Sequence, residues 1–206
     1  YTVAALVPMT LFNLITGGLA PTAGEVFFRG ERISGLPPHL VARRGLARSF
    51  QLLNLFPNLT DYENVRLAVQ VNHARERAVL ADAERLSGVR EKPGALSGHA
   101  DQLASKISYG DQRPLEIGLA LATEPKLLML DEPTSGMSPL ESQEIAALIK
   151  TISSDLTIVL IEHHIDLVMS LADSILVMHY GEKLAEGTPR QVSADPKVQE
   201  AYLGGL

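Results

Sequence analysis

The residues best suited to catalysis follow two apolar segments of the chain. Asp131 and Glu132 come directly after residues 127–130, and His163 follows residues 157–161 with one residue between. Short, continuously apolar segments indicate strands of a parallel sheet whose two faces are both covered. Ligands of such sheets bind at the carboxyl ends of the strands. We therefore expect the two carboxylates and the histidine to meet at one edge of a sheet.

Two adjacent carboxylates at a strand end suit phosphoryl transfer, which needs Mg²⁺, a positioned water and donors for the transferred charge. Asp131 is placed to hold the metal directly or through water, and Glu132 to polarise the attacking water. A purely structural interpretation, in which Asp-Glu-Pro only ends a strand and begins a turn, stays open at this point. Gln51 follows a third predicted strand, at residues 47–50, and by itself it would be a surface glutamine by default.

A Ser-Tyr-Gly-Asp-Gln sequence at residues 108–112 opens a predicted helix. Ser108 fits the N-cap, and Asp111 fits the third helical position, where a carboxylate helps to satisfy the free N–H groups. Gly110 allows another group to approach the backbone closely. The free N–H groups and the dipole of such a helix start attract anions, phosphate among them. The alternative is an ordinary helix cap, and Ser108 is expected to be one in either case.

The elements around these residues follow from local patterns. Capping boxes that begin at Thr60 and Ser138 predict two helices, and residues 25–33 predict a hairpin. Residues 72–106 are rich in Ala, Glu, Arg, Gly and Ser, with few large apolar side chains. We interpret approximately residues 60–123 as a helical subdomain inserted in an α/β core.

Composition limits the possible classes of protein. The 206 residues, 46% of them hydrophobic, suffice for one large α/β domain over residues 1–206. The absence of cysteine excludes a disulfide scaffold and suits a reducing cytoplasm. A net charge of −6 without a basic stripe argues against a nucleic-acid partner. The longest apolar runs fall far short of the roughly 20 residues of a membrane span, and Tyr1 opens no signal-peptide pattern. We expect any role at a membrane to be that of a peripheral subunit.

Together the motifs resemble the ATPases of the ATP-binding cassette (ABC) class, and within it the ATP-binding subunits of branched-chain amino-acid importers. Amide and urea importers share these features. The resemblance implies a P-loop NTPase-like fold: a mainly parallel sheet core, an antiparallel β subdomain and a helical signature subdomain. The segments that carry the resemblance are residues 11–17, 48–51, 55–60, 108–112, 127–134, 161–163 and 201–204.

Residue roles follow from the resemblance. The family's helix start at Ser108 and Gly110 contacts the γ-phosphate bound to the other subunit, which implies a homodimer or a heterodimer with a second ABC ATPase subunit. His163, rather than His164, takes the place of the γ-phosphate switch histidine. The implied catalytic residues are Glu132 and His163. The implied nucleotide-binding residues are Thr10, Gln51, Ser108, Gly110, Gln112 and Asp131, with Gln51 and Asp131 as Mg²⁺ ligands.

The resemblance also implies ATP and Mg²⁺ as cofactors, integral-membrane permease subunits as partners and no nucleic acid. It places the protein in the cytoplasm, peripheral on the inner face of the cell membrane. The candidate surface for coupling to the permease is formed by Leu53, Leu55, Phe56, Leu59 and Tyr62. Local packing of this loop onto the helical subdomain is an equal alternative.

One expected motif is missing. The family's phosphate loop, Gly-x-x-Gly-x-Gly-Lys-Ser/Thr, lies between the first strand and the helix that begins near Thr10. Here Val7, Pro8 and Met9 join the two elements without a glycine or a lysine, so nucleotide affinity should collapse. Intact flanking elements favour a loop omitted from the sequence; a true deletion would give an inactive ABC module. A soluble, non-transport ABC ATPase is a further alternative, but the tandem cassettes, coiled coil or basic arms that it predicts are not visible.

Overall fold

A mainly parallel sheet forms the centre of the computed structural model, which describes residues 1–6, 9–49, 55–69 and 102–203. Its strands are β1 (Thr2–Leu6), β4 (Leu46–Arg48), β5 (Leu127–Asp131), β6 (Thr157–Ile161), β7 (Ser174–His179) and β8 (Glu182–Gly187). Their order across the sheet is β4-β5-β6-β1-β7-β8. All neighbours pair parallel except β7 and β8, which pair antiparallel at the edge.

Helices cover the sheet and its flanks. They are α1 (Met9–Ile15), α2 (Pro38–Arg43), α3 (Asp61–Val69), α4 (Tyr109–Ala122), α5 (Pro139–Ile152), α6 (Ile165–Leu171), α7 (Pro189–Ser193) and α8 (Pro196–Val198). The side chain of Ser138 caps α5 as predicted, accepting from the backbone N–H of Glu141, and Thr188 caps α7 in the same way. Neither β8 nor α6 was predicted from the sequence.

Both faces of the parallel strands are buried, as their continuous apolar character indicated. Leu128 and Leu130 of β5 pack in one cluster with Ile149 of α5. Met129, which lies between them on the strand, packs in a different cluster with Phe12 of α1. Because side chains alternate across a strand, these two clusters lie on opposite faces of the sheet. This burial fixes the direction in which β5 delivers Asp131.

The predicted hairpin forms a small antiparallel sheet of its own. Its strands are β2 (Phe27–Phe28) and β3 (Glu31–Arg32). Arg29 and Gly30 connect them with φ angles of 52° and 82°. Positive φ at both central residues is the backbone of a type I′ turn, whose twist matches that of the strands. The turn predicted from the sequence is therefore confirmed.

The helical subdomain is described in part. Val65 of α3 and Leu115 of α4 pack together in one buried cluster. The backbone joins the same two regions, because the N–H of Ala104 donates to the carbonyl of Leu59 at 2.9 Å. Residues 70–101 of the predicted subdomain lie outside the described residues, so its bounds of approximately 60–123 stay a prediction.

Pro114 lies several residues into α4, where a proline predicts a bend or a delayed first turn. The first turn is not delayed, because the Gln112 N–H donates to the carbonyl of Ser108 at 3.0 Å; the bend stays a prediction. The helix is continuous over Tyr109–Ala122 with the proline inside it. The N–H that proline lacks would have bonded the carbonyl of Gly110, close to the helix start. Proline is tolerated most easily near the first turn, where few intrahelical bonds depend on it.

Candidate active site

Strands β5 and β6 bring the predicted catalytic residues to one edge of the sheet. Asp131 is the last residue of β5 and pairs in register with Ile161, the last residue of β6. The N–H of Glu132 donates to the carbonyl of Ile161 at 2.9 Å, which extends the contact between the strands by one residue. Glu132 and His163 thus leave neighbouring strands side by side. The convergence predicted from the apolar strands is present for these residues.

Glu132 and His163 contact each other directly. His163 Nε2 lies 2.6 Å from Glu132 Oε1. The histidine side chain is 69% exposed and the glutamate side chain 18% exposed, so solvent can reach the pair. Glu132 has a φ of 45°, which is uncommon for a residue with a side chain. Such backbone conformations cluster at functional sites, where the surrounding structure holds them. The arrangement can hold a water against a carboxylate whose orientation the imidazole fixes.

Asp131 is buried and carries an ion pair within the chain. Arg48 Nη2 lies 2.9 Å from Asp131 Oδ2, and the two side chains are 9% and 2% exposed. Arg48 Nη1 also donates to Asn13 Oδ1 at 2.6 Å and to Thr16 Oγ1 at 3.2 Å, both on or directly after α1. Sequence analysis overlooked Arg48. The signal was present, because a charged side chain in an otherwise apolar strand must find a partner when it is buried.

Asp131 is the carboxylate of the described residues that the sequence assigns to a magnesium ion. Mg²⁺ is usually held by one or two carboxylates together with substrate phosphates and water, and Asp131 fits that donor set. In the described ranges, no group of three or more His, Cys, Asp or Glu side chains could hold a metal ion without a nucleotide. Gln51, the second predicted ligand, lies outside the described residues. Asp131 by itself therefore fits a metal that nucleotide phosphates and water also hold.

Glu162 is a second residue that sequence analysis overlooked. It is 1% exposed and accepts hydrogen bonds from the Thr134 N–H at 3.1 Å and from the Thr134 hydroxyl. Its other oxygen accepts from the His163 N–H at 3.1 Å and lies 3.2 Å from His164 Nδ1. Glu162 thus joins the loop after Glu132 to the segment that carries His163. A carboxylate at the end of a buried strand was the available signal.

The predicted anion-binding turn opens α4. The Ser108 hydroxyl oxygen accepts from the Asp111 N–H at 3.2 Å, and the hydroxyl donates to Asp111 Oδ2 at 2.6 Å. Gly110 lies against the start of α5, where an added Cβ would be 2.4 Å from Glu141 Oε1. The hydrogen bonds that Ser138 donates from its side chain and backbone hold the pKa of Glu141 below its ordinary value of 4.5. A negative charge therefore stands beside this turn at neutral pH.

Two predicted nucleotide-binding residues have clear positions. The amide nitrogen of Gln112 donates to the carbonyls of Ala104 and Ile107, at 2.9 and 3.1 Å, and so stabilises the turn before α4. Thr10 is exposed in the first turn of α1. Their predicted contact with nucleotide stays a prediction.

The connection that should hold the phosphate loop is short. β1 ends at Leu6 and α1 begins at Met9, and the two residues between them lie outside the described residues. Two residues cannot supply the eight positions of the family pattern. As the sequence stands, the glycine backbone and the lysine that would surround the phosphates have no counterpart.

The predicted coupling surface is divided between exposed and packed residues. Phe56 and Tyr62 are 58% and 48% exposed. Leu55 instead packs against the cluster between α3 and α4. Asn64 fixes this loop, because it accepts from the Phe56 N–H at 2.8 Å and donates to the Phe56 carbonyl at 3.1 Å. Leu53 lies outside the described residues.

Comparison with known families decides the class of the protein. Residues 9–135, more than half of the chain, match the model of the ABC transporter family. This chain belongs to that family. A second family model, described as branched-chain amino acid ATP-binding cassette transporter, matches residues 182–205 of this ABC protein.

Relatives agree with this assignment. The chain is 39% identical to the high-affinity branched-chain amino acid transport ATP-binding protein BraF of Pseudomonas aeruginosa, over 95% of this chain and 82% of the relative. The same values hold for LivG of Escherichia coli K12, which bears the same description. The alignment with BraF is 209 positions long. It includes 95% of the 206 residues of this chain, which is about 196 residues. About 13 aligned positions of BraF therefore have no counterpart in this chain. The relatives therefore carry internal residues that this ABC protein lacks.

Solved structures confirm the fold. The ADP conformation of MJ1267, an ATP-binding cassette of an ABC transporter, matches with a TM-score of 0.81 and 28% identity, covering 98% of this chain and 87% of that one. The cbiO1 protein of Clostridium perfringens, part of the ABC transporter complex cbiONQ, matches with a TM-score of 0.80 and 27% identity, covering 100% and 84%. The cassette homologues of this ABC protein are ATPases coupled to transport, as predicted.

Among the helices in the described residues, none has the length and apolar character to cross a membrane.

The two adjacent histidines have different partners, which gives a testable difference. We expect His163→Ala to lower ATP turnover by about 10²-fold, since it removes the imidazole that contacts Glu132 and that the family resemblance assigns to the γ-phosphate. His164→Ala should lower turnover less than about tenfold, because His164 contacts Glu162 rather than Glu132. The measurement is kcat of both variants in a loop-restored chain, in which the pattern Gly-x-x-Gly-x-Gly-Lys-Thr replaces residues 7–9. Equal losses, or a larger loss at His164, would overturn the assignment of the switch histidine.

Proposed function

We propose that this protein is the ATP-hydrolysing subunit of an importer for branched-chain amino acids, acting at the cytoplasmic face of the membrane on permease subunits. The observation that carries the proposal is the contact between Glu132 and His163 beside Asp131. In this proposal Glu132 is the base and His163 its partner, and the contact supports it because both lie at the carboxyl ends of the strands, where ligands of such sheets bind. The names of BraF and LivG support the substrate class.

Each residue of the site has a distinct part in the proposed reaction. Asp131 would hold Mg²⁺, which supplies positive charge to the phosphates when bound. Glu132 polarises the attacking water, and His163 orients the Glu132 carboxylate and faces the transferred phosphoryl group. Glu162 keeps the two catalytic segments together through Thr134 and the His163 N–H.

The proposed active unit is a pair of ABC subunits. The start of α4 at Ser108 and Gly110 would complete the nucleotide site of the opposite subunit, since a helix start with a close-approach glycine suits a phosphate. Both a homodimer and a heterodimer fit this arrangement. In either, closure around ATP would move the permease through the exposed side chains of Phe56 and Tyr62.

A second candidate function has its own supporting observation. The two-residue connection between Leu6 and Met9 favours a catalytically inactive ABC module if the protein in the cell has the same connection. Peptide mapping by mass spectrometry of the protein expressed from its gene separates the cases. A peptide in which Leu6, Val7, Pro8 and Met9 are contiguous means a true deletion, and extra residues between β1 and α1 mean an omitted loop.

ATP affinity tests whether the rest of the site is competent. We expect the loop-restored chain to bind ATP at least about 100-fold more tightly than the chain with Val7, Pro8 and Met9, because two charge-assisted hydrogen bonds supply about 3 kcal/mol or more. Isothermal titration calorimetry of both chains measures the difference. Equal affinities would mean that the site does not bind ATP in the manner of the family.

The substrate class needs a cellular test. The gene, with its loop, is introduced into an E. coli strain that lacks LivG, and uptake of radiolabelled leucine is measured beside uptake of urea and a short amide. Restored leucine uptake supports a branched-chain importer. Leucine uptake that stays at the level of the empty vector would contradict it.

A further inference from the structure

Arg48 is a buried charged side chain that has several partners and that the proposed reaction does not use. Its guanidinium reaches Asp131 on β5 and Asn13 on α1 at 2.9 and 2.6 Å, and it lies over the ring of Phe12 at 5.6 Å from the ring centroid. Its side chain is 9% exposed. The contacts come from the last residue of β5 and from the helix after the missing phosphate loop. Arg48 thus fills the space between the metal carboxylate and that helix.

An exposed ion pair in the same chain, between Arg44 and Glu31, serves as a reference for the buried pair of Arg48 and Asp131. Arg44 Nε also lies 2.9 Å from a carboxylate, that of Glu31, but these side chains are 35% and 68% exposed. Exposed ion pairs of this kind contribute little to stability. Removing one partner of a buried pair is strongly destabilising, because the remaining charge stays in the interior without compensation. Both ion pairs have the same N–O distance of 2.9 Å, but removing the arginine is expected to lower stability much more in the buried pair.

The buried Asp131 carboxylate needs a positive partner, and a guanidinium and a divalent cation can both supply one. In the described structure Arg48 supplies it, through Oδ2. A metal bound at Asp131 adds a second positive charge to a site that already holds one, and the two repel each other in a poorly solvated environment. Arg48 and the metal therefore oppose each other's presence at this carboxylate.

We propose that Arg48 is the built-in counter-ion of Asp131, which keeps the metal carboxylate neutralised without a metal and competes with Mg²⁺ for it while no nucleotide is bound. Free Mg²⁺ is then excluded from the empty site. Metal binding becomes favourable only when nucleotide phosphates add negative charge. This inference rests on the proposed function only for the identity of the cation; the pairing itself does not.

The first arm of the test compares stabilities without nucleotide or metal. We expect Arg48→Gln to lower the Tm by on the order of 10 °C, and the matched control Arg44→Gln by less than about 2 °C. The double variant Arg48→Gln/Asp131→Asn should recover much of the loss, because it removes both buried charges. The proposal would be overturned if Arg48→Gln lowered the Tm no more than Arg44→Gln does. It would also be overturned if the loss of Tm in the double variant equalled the sum of the losses in Arg48→Gln and Asp131→Asn.

The second arm adds MgCl₂ at millimolar concentration, with NaCl at the same ionic strength as the reference. We expect the Tm of Arg48→Gln to rise by about 3–6 °C once Mg²⁺ reaches about ten times its Kd. The Tm of the wild-type chain and of the double variant should not rise. Titration with MnCl₂, followed by electron paramagnetic resonance, should show binding to Arg48→Gln at least tenfold tighter than to the wild type. Equal Mn²⁺ binding by both chains would overturn the competition.

A milder variant covers the case in which Arg48→Gln does not fold. Arg48→Lys keeps the charge but loses the planar guanidinium that spans Asn13 and Asp131. We expect an intermediate loss of Tm and, since the charge remains, no rise with Mg²⁺; a Tm of Arg48→Lys that equals the wild type or rises with Mg²⁺ would contradict the proposal. Both arms exclude nucleotide. A failure of ATP binding or transport would therefore leave their outcome unchanged, and the two proposals can fail separately.

Discussion

Replacing Glu132 by glutamine is expected to lower ATP turnover of the loop-restored chain by about 10²–10⁴-fold and to leave ATP binding intact. Glutamine keeps the size of the side chain and its place at the sheet edge, but it can no longer take a proton from the attacking water. The change also weakens the 2.6 Å contact with His163. In the proposed mechanism the restored phosphate loop, and not Glu132, holds the phosphates, so affinity for ATP should not change.

The control for this variant is another glutamate with the same unusual backbone. Glu124 has a φ of 49°, close to the 45° of Glu132, and it lies exposed after α4. Glu124→Gln should therefore turn over ATP at the wild-type rate. The measurements are kcat from phosphate release and Kd from calorimetry. Turnover above about a tenth of wild type in Glu132→Gln would rule out a general-base role.

The second large effect concerns assembly. With hydrolysis blocked by Glu132→Gln, ATP should convert the loop-restored monomer to a dimer, and Gly110→Asp should weaken that dimer by about 100-fold. A carboxylate at Gly110 would face the γ-phosphate held by the opposite subunit, and like charges that meet at an interface cost several kcal/mol. Light scattering across a concentration series, with and without ATP, measures the dimerisation constant.

The structure determines which control this experiment needs. A Cβ at Gly110 would meet Oε1 of Glu141 in the same chain, so Gly110→Asp also places two carboxylates together within one subunit. Gly110→Ala tests whether the added Cβ alone weakens the dimer by its contact with Glu141. Gly110→Asp combined with Glu141→Gln removes the repulsion between the two carboxylates within one subunit. If the charge acts across the interface, Gly110→Asp with Glu141→Gln still dimerises about 100-fold more weakly with ATP, and Gly110→Ala dimerises like the parent chain. A Gly110→Asp chain that dimerises like wild type would reduce this turn to a helix cap and contradict the two-subunit mechanism.

Local signals in the sequence predicted most elements, since their causes lie within a few residues. The Ser138 capping box closes between residues three apart, and the turn at Arg29 and Gly30 needs only their two backbone conformations. Strand β8 was overlooked because Glu182, Lys183 and Glu186 lie on an edge strand that exposes most of its side chains. Its strand conformation comes from pairing with β7, which no local pattern encodes.

The sequence by itself determined the class of the protein and the sheet edge at which the proposed catalytic residues meet. Apolar strands that end in Asp131 and Glu132, and before His163, have to meet at one sheet edge, because strands buried on both faces pair in parallel. Only the tertiary structure decided the partners: Arg48 for Asp131, Glu162 for Thr134 and His164, and Glu141 for Gly110. Arg48 and Asp131 are 83 residues apart in the chain. A buried charge demands a partner, but which distant side chain meets that demand depends on strand order and packing, and these exist only in the folded protein.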